Sequence, residues 1–71
     1  MEIIDISIEP YIANDWICTC VYRENVEDVK VSAVYSGYGS FKHLITDHEW
    51  KDVPDEVKKA MNGGIRTLCS I

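Results

Sequence analysis

Seventy-one residues, 46% of them apolar, carry twelve acids against seven Lys and Arg, for a net charge of −5. So short a chain builds one hydrophobic core at most, buries about 60–65% of its unfolded surface and draws roughly 3–5 kcal/mol of net stability from it. The acidity argues against the basic footprint of a nucleic-acid binder, and no stretch approaches the roughly 20 apolar residues that cross a membrane.

The charge is unevenly spread. Residues 1–28 hold seven acids (Glu2, Asp5, Glu9, Asp15, Glu24, Glu27, Asp28) against Arg23 alone, while the remainder is nearly balanced. Such asymmetry speaks to association and not to fold, and it favours a basic partner. The opening MEIIDISIEP has no basic segment followed by a continuous apolar one, so the expectation is a cytoplasmic protein. Three cysteines, two of them at Cys-x-Cys spacing, make a poor disulfide framework and read as thiols.

The first element is a strand. Ile4, Ile6 and Ile8 alternate with Asp5, Ser7 and Glu9, the period of a half-buried strand, and Pro10 ends it. Tyr11 to Asp15 reads as a connection. WICTCVYR is rich in β-branched and aromatic residues, with Trp16, Cys18, Cys20 and Tyr22 on one face and Ile17, Thr19 and Val21 on the other. Glu24–Asp28 is a polar break of hairpin length. Val29, Val31, Ala33 and Tyr35 then alternate with Lys30, Ser32 and Val34, so the three strands suggest an antiparallel meander.

Gly37-Tyr38-Gly39 closes the third strand, and the segment after it is ambiguous. Phe41, Leu44, Ile45 and His48 fall at helical spacing with Ser40 as a cap, yet FKHLI also suits a fourth strand folded back through the glycines. The strand is the favoured reading. DVPDEVKKAMNGG is a helix near residues 53–62, with Asp52 as N-cap, Pro54 in the first turn, and Val53, Val57, Ala60 and Met61 as its apolar stripe. Gly63 suits the left-handed residue that closes it. The tail from Ile65 to Ile71 looks extended, a candidate last strand and a candidate edge for a homodimer. The expected fold is therefore α+β: three to five antiparallel strands with one helix packed on one face, in a single domain spanning residues 1–71.

Candidate chemistry is thin. Cys18, Cys20 and Cys69 with His43 and His48 supply metal-ligand types without a second close-spaced pair, so same-face strand cysteines read as small core residues. Asp47-His48-Glu49 are neighbours whose side chains point apart, which makes no acid–base dyad. Gly37-Tyr38-Gly39 lacks the third glycine of a dinucleotide loop and the Gly-Lys-Ser/Thr of a phosphate loop. No cofactor or metal is expected, and no catalysis. The function that remains is protein binding, as a small acidic inhibitor or adaptor (an immunity protein or a phage-encoded antagonist fits the role). Asp5, Glu9 and Asp15 would meet a basic surface and Tyr38 would anchor the contact. One alternative is a nucleic-acid-binding domain using Tyr38, Phe41 and Lys42; another is a thiol-ligated metal module.

Overall fold

The computed structural model describes residues 1–69. Four strands form one antiparallel meander in the spatial order β1-β2-β3-β4: β1 (Glu2–Pro10), β2 (Trp16–Glu24), β3 (Glu27–Tyr35) and β4 (Phe41–Leu44). One turn of 3-10 helix (Trp50–Asp52) leads into the α-helix α1 (Asp55–Cys69), which lies on one face of the sheet over β2 and β1. The architecture is the expected α+β one, and residues 41–44 take the strand alternative.

The period-two pattern of the two central strands decides what is buried. Cys18, Cys20 and Tyr22 of β2 and Val31, Ala33 and Tyr35 of β3 all turn toward the helix and are lost to solvent. Val53, Val57, Met61 and Ile65 meet them from the other side. Phe41 stacks on Trp50 with ring centroids 4.4 Å apart and meets Tyr35 edge-on at 5.9 Å, closing the β4 side of the core. The Tyr35 hydroxyl donates to Asn62 Oδ1 at 2.8 Å, so its one polar atom is satisfied by the helix that buries it. Outside the core, Thr19 and Ser32 pair their hydroxyls at 3.0 Å on the opposite face of the sheet.

Four expectations are corrected. In β1 the inward residues are Ile3, Ile6 and Ile8, while Ile4 is exposed: Ile3 pairs with Tyr22 but Asp5 with Val21, so Ile4 is the extra residue of a bulge. The break between β2 and β3 is only Asn25 and Val26, because Glu24 still pairs with Glu27; Asn25 makes the tight turn with φ of 58°. Asp52 belongs to the 3-10 turn and not to the helix cap, and the first helical bond runs from the Lys58 N–H to the Pro54 carbonyl at 3.0 Å.

The fourth correction is the largest: α1 does not stop at Gly63 but continues through Gly63 and Gly64 to Cys69, so residues 65–69 are helical and form no strand or dimer edge. Residues 70 and 71 lie outside the described part. The energetic reason is visible in the packing. Each glycine costs a helix about 1 kcal/mol relative to alanine. Ile65, one turn beyond Met61 on the same face, is fully buried, which is worth about 1.5–3 kcal/mol and is joined by half-burial of Leu68. Gly64 also packs closely on β1, since a Cβ there would sit 3.1 Å from Ile8 Cδ1 and that methyl would have to give way. Local stop signals lose to the core.

Candidate functional site

The meander brings two connections to the same end of the sheet. Trp16, which opens β2, pairs with both Pro10 of β1 and Tyr35 of β3, so the turn Tyr11–Asp15 and the turn Ser36–Ser40 stand side by side. They touch: a Cβ added to Gly37 would fall 2.9 Å from the Asn14 carbonyl oxygen, a separation real Cβ atoms do not reach. Gly37 is thus glycine because one turn packs on the other. Gly39 is glycine for a different reason, a φ of +84°, and it rests on Ile65 and Arg66 of the last helical turns.

Both turns are held by their own hydrogen bonds. The Tyr11 N–H donates to the Asp15 carbonyl at 2.9 Å, and the Asp15 N–H to that of Ile12 at 3.0 Å. Ser36 organises the second turn. Its backbone N–H donates to the Ser40 carbonyl and its own carbonyl accepts from the Gly39 N–H, both at 2.9 Å. Its hydroxyl oxygen accepts from the N–H groups of Tyr38 and Ser40, both at 3.3 Å. The backbone under Tyr38 is fixed while its ring is 95% exposed. Ile12 (67% exposed) and Tyr11 (42%) project from the neighbouring turn. Ala13 holds a φ of 56°, a left-handed conformation that a residue with a Cβ rarely adopts. Between the turns runs an open groove of about 550 Å³, with Pro10, Asn14, Trp16, Ser36 and Tyr38 among its walls.

The four residues singled out from sequence do not form one cluster. Tyr38 stands at the tip of this end. Asp15 lies beside it, but its carboxylate accepts from Lys42 Nζ at 2.8 Å and is only 20% exposed, so it braces the first turn against β4. Lys42 reaches it as the extra residue where the β3–β4 register shifts, with Val34 opposite His43 and Tyr35 opposite Phe41. Asp5 and Glu9 are exposed on the face of β1 away from the helix, opposite Val21 and Ile17 of β2, with no cation facing them across the strand pair. Phe41 and Lys42 are likewise engaged, one on Trp50 and the other on Asp15, which leaves Tyr38 alone of the three as an open ring. Tyr11 and Ile12 were not singled out. Their one signal was two large apolar residues inside a turn, with no place in either strand's alternation.

The cysteines of β2 are free thiols with no exposed surface. Burial, and then the neighbouring Cys20, pushes the Cys18 thiol up to about 11; Cys20 is raised too, by burial first and Asp5 second. Such thiols are neutral and unreactive at physiological pH. At the far end of the sheet a cleft of about 450 Å³ gathers Glu24, Glu27, His48 and Asp52 around Tyr22. Among the described residues no three His, Cys, Asp or Glu side chains are placed to hold a metal ion. Among them, too, no helix is long and apolar enough to cross a membrane. Compared with known proteins, the chain matches no family model, no curated protein and no solved structure.

Proposed function

We propose that the protein binds another protein through the double-turn end of its sheet, without chemistry of its own, and acts as a small acidic inhibitor or adaptor by covering a basic surface. The observation that carries the reading is Tyr38: a ring 95% exposed on a turn whose backbone is locked by Ser36. A tyrosine held this way gives large contact area at low entropic cost, the property of an interface anchor. Tyr11 and Ile12 widen the apolar contact, and the groove beside them receives a side chain from the partner. Asp5 and Glu9, which enter no ion pair among the described residues, supply the complementary charge that steers a basic partner and sets its orientation. Asp15 contributes by bracing the end instead of by contact.

The test is capture of the partner from native cells with the purified protein, followed by affinity measurements on variants. Tyr38→Ala lowers affinity by about 2 kcal/mol, roughly 30-fold, and Tyr11→Ala by less. Asp5→Asn with Glu9→Gln mainly slows association and flattens its salt dependence. Full affinity in the Tyr38→Ala, Tyr11→Ala double variant, with its fold intact by circular dichroism, refutes the tip as the contact.

A further inference from the structure

The two edges of the sheet are unlike. β4 is four residues long and broken by a register shift, a blunt edge. β1 is nine residues long, pairs only with β2, and is regular from Asp5 to Pro10. Among the described residues no strand pairs with its other side.

Side-chain burial marks the same edge as incomplete. On the helix side of the sheet, the inward residues of β2 from Cys18 to Tyr22 are at most 3% exposed, yet Ile3, Ile6 and Ile8 of β1, which pack against the same core, are only partly buried. Above them, α1 turns a half-buried row toward the edge: Gly64 lies against Ile8, and Ala60 and Leu68 sit one turn before and after it. The other face of β1 carries Asp5 and Glu9, four residues and about 14 Å apart. Their cross-strand neighbours Val21 and Ile17 offer no countercharge.

We infer that β1 is an acceptor edge that takes an extended segment of another protein as a fifth strand. That segment carries Lys or Arg at positions four apart on one face and apolar residues on the alternate face. Backbone hydrogen bonds would supply affinity and the two side-chain rows specificity, the ordinary division in strand addition. The apolar row extends the Ile6–Ile8 surface beneath Ala60, Gly64 and Leu68, and the basic row meets Asp5 and Glu9. A second copy of this chain is the wrong occupant. Antiparallel self-pairing over the regular stretch centres on Ser7 and sets Asp5 opposite Glu9 twice, and like charges directly opposite are destabilising. The inference takes from the proposed function only the sign of the partner's charge; it uses none of the tip.

The experiment uses the whole protein and two synthetic peptides. One is Lys-Val-Thr-Val-Lys-Val-Thr-Val-Lys; the other has glutamate in place of every lysine. Amide NMR shifts and hydrogen exchange are followed on titration. The lysine peptide should shift and protect amides between Asp5 and Glu9, bind at least ten-fold more weakly when salt is raised to 0.5 M, and bind Tyr38→Ala as well as the native chain. The Asp5→Lys, Glu9→Lys double variant should reverse the preference to the glutamate peptide. Loss of peptide binding in Tyr38→Ala, shifts confined to the two turns, equal binding of both peptides, or no binding of either overturns the inference. So does concentration-dependent protection of β1 without peptide, which would make a second copy the occupant.

Discussion

Cys18, Cys20 and Tyr35 each hold an ionisable proton inside the core, and that placement ties stability to pH. The Cys18 thiol is raised from its ordinary 9.0 to about 11, chiefly by burial and then by Cys20, and the Tyr35 hydroxyl is raised above its ordinary value by burial and then by Cys18. Tyr22 moves the same way, by burial first and Glu24 second. A proton held more tightly in the folded chain than in the unfolded one favours folding until the unfolded chain begins to release it. The contribution of these groups to stability is therefore full below about pH 9 and is lost as pH rises toward 11. For Cys18 alone the shift corresponds to about 3 kcal/mol, comparable with the whole net stability of so small a chain. Urea midpoints under reducing conditions should be level between pH 7 and 8.5 and drop steeply by pH 10.5. A level midpoint up to pH 11 contradicts burial of these groups.

Among the elements, α1 carries the sharpest prediction because its two glycines are not equivalent. Nothing lies within 4 Å of where a Gly63 Cβ would stand, whereas a Gly64 Cβ meets Ile8 Cδ1 at 3.1 Å. Gly63→Ala should therefore stabilise by about 1 kcal/mol, or roughly 4–8 °C in melting temperature. Gly64→Ala should gain less, because Ile8 must give way. Equal gains mean that the helix does not rest on β1 as described. The same helix shows where sequence reasoning ran out. The inward faces of β2 and β3 were legible, because strict alternation in Cys18-Cys20-Tyr22 and Val31-Ala33-Tyr35 has one solution in a sheet. The helix was legible from its stripe, although it starts at Asp55 and leaves Val53 to the 3-10 turn before it; its end was not, since Asn62-Gly63-Gly64 reads locally as a stop and only the buried Ile65 outvotes it. The bulge at Ile4 arises from pairing with β2, and the Tyr11–Tyr38 end arises from one turn meeting another. Neither contact leaves a local pattern.

The whole molecule is elongated, 36 by 23 by 18 Å, and Tyr38 stands in the turn at one end of its sheet. An elongated small protein can lose one end before the rest, and the tip reading depends on this end not doing so. The core gives the reason it should hold. One continuous buried cluster runs from Tyr22, beside the Asn25–Val26 turn, to Tyr35 and Ile65, which lie under the two turns at the other end. Trp16 and Trp50 pack against that cluster from different sides, one opening β2 and the other stacked on Phe41 of β4. Each can be made the sole fluorophore by replacing the other with Phe. Within each variant, tryptophan fluorescence and far-ultraviolet circular dichroism should trace the same urea transition, as a single cooperative unit requires. A Trp16 transition at clearly lower urea than the circular dichroism would show that the two turns open separately. Tyr38 would then be ordered only on binding, and part of the contact energy would go to fixing its turn. Coincident transitions leave Tyr38 on a platform already in place, where the full area of its ring counts toward affinity.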